Sequence, residues 1–269
     1  MGDDRPIGVF DSGVGGLTVA RAIWELLPNE AVVYAGDGAH FPYGPKPVEE
    51  IRRYAMQIAD HLVARGVKIL VVACNSVEVS AIGDIAAAAD IPVLGVIAPG
   101  ARAALRATRN GIVGVIGTEA TIHTGGYQRA VGSAATLHAA ACPVFVEHVE
   151  RGDTTSPELR RAAAGYLAPL KREGVDTVIM GCTHYPLLSG LLQLELGPDV
   201  VLVSSAEETA KDVYAALLRA DAVRTSEEPP HHTFLTTGDP ASFHDLAELF
   251  LGREIAQVDA VHVETGGSA

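Results

Sequence analysis

Thiols are scarce in this sequence: three cysteines among 269 residues, an odd number with no C-x-x-C pair. That count excludes a disulfide scaffold and the usual zinc spacings, and it fits reduced thiols in the cytoplasm. Basic residues are few as well, 20 Lys and Arg against 33 Asp and Glu, for a net charge of −13. Nucleic acid is thereby excluded as a main partner, since phosphate binding needs clustered Lys and Arg. Long-range steering of an anionic substrate is excluded too, so any anion would be held by local amides and hydroxyls. No apolar run reaches the ~18 residues that a spanning helix needs. The start, Met1-Gly2-Asp3-Asp4-Arg5-Pro6, lacks the basic-then-apolar pattern of a signal peptide, and Pro6 breaks a myristoylation motif. The expectation is a cytoplasmic protein with no membrane contact.

What is present is a core: 48% of residues are hydrophobic and 20% charged, enough for one large or two modest domains. Two stretches read as copies. Gly66-Val67-Lys68-Ile69-Leu70-Val71-Val72-Ala73-Cys74 and Gly174-Val175-Asp176-Thr177-Val178-Ile179-Met180-Gly181-Cys182 each run from Gly-Val through a buried-strand pattern to a thiol. The two cysteines lie 108 residues apart, and Asp11 and Thr118, each closing another short strand, lie 107 apart. Landmarks that share an offset indicate a duplicated α/β unit, each copy delivering one thiol from the carboxyl end of a strand. The fold class expected is α/β, two pseudo-symmetric domains with mainly parallel sheets flanked by helices and the site in the cleft between them. The expected division is 1–97 plus 209–269 for the Cys74 side and 98–208 for the Cys182 side.

Along the chain, strand 7–10 runs into Asp11-Ser12-Gly13-Val14-Gly15-Gly16, where glycines permit a sharp turn and close approach of amides to a ligand. Helices are expected at 17–27, 49–64, 75–89, 101–108, 122–131, 157–172, 206–219 and 240–250, and strands at 31–35, 91–96, 200–203, 233–237 and 257–263. Residues 143–149 read as extended, 222–232 as a linker, and 265–269 as a frayed end. The Pro-rich stretch 41–47 reads first as a rigid connector. Its second reading is that Tyr43 and Gly44 offer a hydroxyl and an amide at the strand ends.

Two equivalent thiols facing one cleft suit one chemistry. A thiolate removes a proton from carbon while the other thiol protonates the opposite face, inverting the centre. A free thiol ionises near ~8.5, so each needs help. Helix N-termini after both cysteines would give it, with Asp11 and His184 as nearby proton acceptors. Hydroxyls and amides at Ser12, Asn75, Ser76, Thr118 and Thr183 could stabilise the carbanion-like intermediate. A lone buried Cys is more often core, and Cys142, which has no counterpart in the repeat, is read that way. A Ser12-His184-Asp11 hydrolase lacks G-x-S-x-G.

Phe10-Asp11-Ser12-Gly13-Val14-Gly15-Gly16, Gly36-Asp37, Pro42-Tyr43-Gly44, Ala73-Cys74-Asn75-Ser76 and Gly181-Cys182-Thr183-His184-Tyr185-Pro186-Leu187-Leu188 resemble the signature segments of the glutamate racemase family. The resemblance implies cofactor-independent interconversion of L- and D-glutamate, supplying D-glutamate to peptidoglycan. It implies that Cys182 deprotonates the L-isomer and Cys74 the D-isomer, with Asp11 assisting Cys74 and His184 assisting Cys182. Glu150 matches a family acidic residue near the second cysteine, with Glu147 as competitor. Substrate would be bound by Asp11, Ser12, Tyr43, Gly44, Asn75, Ser76, Thr118, Thr121, Thr183 and His184. The family usually has Thr where Ser76 stands; serine keeps the hydroxyl but lacks the methyl group. No metal is implied, and a homodimer is allowed without its arrangement being fixed. The competing readings are a racemase of aspartate or hydantoin type, a one-thiol malonate decarboxylase, a pyridoxal-phosphate racemase with a Schiff-base lysine, and a non-catalytic two-domain solute-binding protein. None of Lys46, Lys68, Lys171 and Lys211 joins the strand-end constellation.

Overall fold

A computed structural model describes residues 2–252, 255 and 257–263. The expected fraying at 265–269 lies outside the described residues. The first half runs β1 (Ile7–Asp11), α1 (Leu17–Leu26), β2 (Val32–Gly36), α2 (Val48–Ala64), β3 (Ile69–Val72), α3 (Asn75–Ala88) and β4 (Val93–Leu94). The second runs α4 (Ile97–Ala107), β5 (Ile112–Gly117), α5 (Glu119–His123), α6 (Gly126–Val131), β6 (Thr136–Ala141), α7 (Val144–Glu150), α8 (Pro157–Arg172), β7 (Thr177–Gly181), α9 (Ser189–Leu196) and β8 (Val201–Val203). Helix α10 (Ala206–Arg219), β9 (Thr233–Thr236), α11 (Pro240–Leu251) and β10 (Val258–Ala260) complete it.

Every strand pair is parallel, in two sheets ordered β10-β9-β2-β1-β3-β4 and β6-β5-β7-β8. The order β2-β1-β3-β4 is repeated as β6-β5-β7-β8, so the duplication read from cysteine spacing is a duplication of topology. β1, β2, β3 and β7 are buried along their whole length, which is why they read as unbroken apolar runs. Strands β9 and β10 extend the first sheet beyond β2.

Helices follow their apolar faces. α1 buries Leu17, Val19, Ala20, Ile23 and Trp24, and turns Leu26 outward. Helix α8 opens with Ser156 accepting the Leu159 amide (3.1 Å), Pro157 next to it, and closes on Lys171 and Arg172; each of these choices matches the helix dipole and its unpaired ends. One element differs in kind from the sequence reading. Residues 143–149 are not extended but lie in α7, and the strand is the preceding 136–141. Val144, Val146 and Val149 suggested a strand, yet Phe145, Val146 and Val149 fall on one helical face that packs into the core; tertiary burial overrides β-propensity here. The single helix expected over 122–131 is two, α5 and α6, broken at Gly125 with φ of 69°.

Two side chains hold the places where the chain passes between the halves. Glu78 of α3 accepts the Val96 and Ile97 amides (2.5 and 2.9 Å), capping the start of α4. Lys68 beside β3 pairs with Glu30 at 2.6 Å, both under 3% exposed, and also donates to the Asp3 and Ala222 carbonyls. Glu30 in turn accepts the Arg224 amide at 2.8 Å, so the pair anchors the segment that returns from α10 to the first sheet. No helix among the described residues is long and apolar enough to cross a membrane. Lys68→Ala is expected to lower the unfolding free energy by about 3–5 kcal/mol, because Glu30 is left buried and uncompensated. Urea denaturation of both single mutants and the double mutant checks it; additive losses would mean the two side chains are not coupled.

Candidate active site

The carboxyl ends of β1, β3, β5 and β7 open onto one cavity of about 100 Å³. The first half lines it with Asp11, Ser12, 41–45 and Cys74-Asn75-Ser76, the second with Thr118, Glu119, Pro143, Val146, Glu147 and Gly181-Cys182-Thr183-His184. Both thiols are buried, 6% and 7% exposed. They reach one cavity from equivalent strands of the two sheets, at the position where open parallel sheets hold ligands.

On the first side, Cys74 is the N-cap of α3 and its Sγ lies 3.6 Å from Ser12 Oγ. Burial, and then the Asp11 charge, push this thiol well above its usual range; the Val77 amide and Ser12 hydroxyl act the other way without prevailing. Asp11, 1% exposed, accepts the Ser12 amide at 2.7 Å, the Gly16 amide through a short bond, and the Thr183 hydroxyl at 3.0 Å. Its carboxylate therefore holds the glycine turn and reaches across to the second half. Gly15 has no room for a side chain, since a Cβ would collide with Thr183 and His184.

On the second side, the His184 imidazole bridges two groups. Nδ1 is 3.8 Å from Cys182 Sγ and Nε2 is 2.6 Å from Glu150 Oε1. Burial by itself would depress this imidazole, but the hydrogen bonds and charges of Cys182 and Glu150 outweigh it and hold the ring at about 10. The two partners of the ring thus favour its protonated form. Cys182 is not followed directly by an α-helix as expected. A short 3₁₀ turn, Tyr185–Leu188, intervenes before α9, and the group nearest this sulfur is instead the His184 ring.

Around the thiols stand hydroxyls and amides, and the lining contains no Lys or Arg among the described residues. Ser76 and Thr118 share a hydrogen bond of 2.9 Å, and Thr118 and Thr121 one of 3.0 Å. The Tyr127 hydroxyl donates to Asn75 Oδ1 at 2.8 Å, leaving the Asn75 amide as a donor for a ligand.

Of the residues expected at the site, Asp11, Ser12, Tyr43, Gly44, Cys74, Asn75, Ser76, Thr118, Cys182, Thr183 and His184 line the cavity. Thr121 does not: it is fully buried behind Thr118. Glu150 lies behind His184, whereas Glu147 lines the mouth, two-thirds exposed and 3.6 Å from Arg151. The Tyr43 hydroxyl is already engaged by buried Asp37, which also takes bonds from His40 and Thr237. Tyr43 thus offers the cavity its ring, and Gly44 its backbone, packed against Thr118. Cys142 is buried with its Sγ near the Ala140 carbonyl, and burial pushes its thiol up, as befits a core residue. The sequence reading missed Tyr127, Asp37, Phe41 and Val146; only Asp37 lay in a motif, and the others are ordinary apolar or aromatic positions that the fold alone brings to the site.

Comparison with known proteins gives a consistent picture. Residues 7–213 match the Asp/Glu/hydantoin racemase family. The chain is 52% identical to the glutamate racemase of Corynebacterium diphtheriae over 96% of its own length and 98% of that protein's. Among solved structures it is similar to glutamate racemase isoform RacE1 from Bacillus anthracis, with a TM-score of 0.91, 42% identity and coverage of 96% and 98%. It is also similar to the glutamate racemase from Francisella tularensis solved with D-glutamate, with a TM-score of 0.91, 32% identity and coverage of 98% and 99%.

The His184 pair carries a sign for pH. Its folded-state value of about 10 lies above the ~6.5 of an exposed histidine, so its contribution to stability is complete below ~6.5 and is lost as pH rises through about 10. Unfolding free energies of the wild type, from urea denaturation, are expected to fall over that interval by more than those of His184→Gln, by a few kcal/mol in order of magnitude. Parallel curves for the two proteins would contradict the assignment.

Proposed function

Since the chain belongs to the Asp/Glu/hydantoin racemase family, and within it to the glutamate racemases, we propose that Cys74 and Cys182 are its two proton-transfer groups, acting on opposite faces of bound glutamate. The observation that carries the reading is that both thiols open onto one small cavity from topologically equivalent strand ends.

In the L-to-D direction the Cys182 thiolate takes the Cα proton. The electron pair left behind spreads into the α-carboxylate, and the Cys74 thiol gives its proton to the other face. Turnover leaves Cys182 as thiol and Cys74 as thiolate, the form that accepts D-glutamate. The raised Cys74 thiol suits the acid in this direction. His184 and Glu150 support Cys182, the imidazolium balancing the thiolate and Glu150 holding the ring. Asp11 tunes Cys74 and fixes the turn. Donors at Ser12, Asn75, Ser76, Thr118, Thr183 and the backbone near Gly44 would bind the two carboxylates, in place of absent lysine or arginine; Thr121 and Tyr43 support them from behind through Thr118 and Asp37. The domains are then 1–97 with 209–269, and 98–208, each half built on one of the two sheets. The product suits D-glutamate supply to peptidoglycan, and two reduced catalytic thiols suit the cytoplasm.

D-Glutamate incubated with the protein in heavy water, without added cofactor, is expected to gain deuterium at Cα and to racemise. Cys74→Ser and Cys182→Ser should each lower kcat for racemisation by about 10³-fold or more, at the scale of a lost general acid or base. A single serine variant that racemises at the wild-type rate sinks the two-thiol reading.

A further inference from the structure

The hydrogen-bond partners of His184 both come from the second half, but what packs on its ring comes from the first. Phe250 of α11 meets the imidazole almost at right angles (88°), with ring centroids 5.3 Å apart, and Phe41 lies on it at 5.8 Å and 32°. Gly15 closes a third side, leaving no room for a Cβ. His184 is 2% and Phe250 6% exposed, so apart from its edge on the cavity the ring is packed in protein. Phe250 does not touch the cavity, belongs to a core with Phe243, Ala247 and Leu251, and lies beyond residues 7–213 that match the family.

From this packing we propose that Phe250 is a positioning residue for proton transfer at Cys182: α11, from the far end of the chain, sets the His184 ring so that Nδ1 faces the thiol and Nε2 faces Glu150. The inference rests on the two-thiol reading above. The physical reason is directional. Hydrogen bonds at 3.8 Å and 2.6 Å fix two atoms of the ring, but an imidazole can still tilt about the line joining them. A perpendicular aromatic contact removes that freedom. The contact acts on one thiol only, because Cys74 is served by Ser12, Asp11 and α3.

Phe250→Leu keeps an apolar side chain, somewhat smaller, and removes the ring; Phe250→Tyr restores a ring. The experiment measures kcat and KM in both directions, and the isotope effect on kcat with α-deuterated L- and D-glutamate. Phe250→Leu is expected to lower kcat about tenfold with little change in KM. Its isotope effect should rise for L-glutamate, whose proton goes to Cys182, and stay level or fall for D-glutamate, whose proton goes to Cys74. Phe250→Tyr should return both values toward wild type. Wild-type rates in Phe250→Leu, or isotope effects that change equally for the two isomers, would overturn the proposal, since general loosening has no reason to single out one thiol. If Phe250→Leu loses its cooperative melt, Phe250→Met is measured in the same way, with the same two outcomes. Cys182→Ser run alongside separates the two failures: full racemisation there removes the two-thiol reading itself, whereas an inactive Cys182→Ser with an unaffected Phe250→Leu removes only the role of Phe250.

Discussion

The bond from Thr183 to Asp11 is the constraint on which the site depends. Asp11 closes β1 and Thr183 follows the second thiol, so a single carboxylate joins the strand end of one sheet to that of the other. It can do so because Gly15 brings the turn after β1 close enough, with no side chain to hold Thr183 and His184 away. The same carboxylate uses its remaining capacity on the Ser12 and Gly16 amides, so it is buried fully satisfied. A buried charge of this kind is tolerated only where its donors are in place, and here the donors are the walls of the cavity.

A net charge of −13 and a lining without Lys or Arg would disfavour a ligand with two carboxylates unless the cavity were organised at short range. The solution is a set of dipoles already held in position. Tyr127 orients Asn75, Thr121 orients Thr118, and Asp37 holds the ring of Tyr43 and the loop beside it. Fixed dipoles held in this way need little reorganisation when negative charge develops on a bound ligand.

Much of this is legible in the sequence alone. Cys74, Cys182, Asp11 and His184 sit at or within three residues of strand ends, and strands buried on both faces announce themselves as unbroken apolar runs. The repeat is legible because both copies keep the strand that bears the thiol. What escapes is of two kinds. Strand β6, Thr136–Ala141, lies at a sheet edge with most positions partly exposed and shows neither a continuous run nor alternation; its role passes by default to the β-branched residues of α7. The supports behind the site, Tyr127, Asp37 with Thr237, and Phe250, are separated from their partners by long stretches of chain. Nothing in local pattern distinguishes a tyrosine that orients Asn75 from one that merely fills the core.

The two halves share a topology but solve the thiol problem differently, and the difference is one of charge arrangement. At Cys74 a negative carboxylate stands against the positive end of α3 and a hydroxyl donor. At Cys182 the His184 ring stands between the sulfur and the Glu150 carboxylate. The first side thus sets an acidic group beside the sulfur, and the second sets a ring between the sulfur and the acidic group, so the strand topology is duplicated while the polar partners of each sulfur are not.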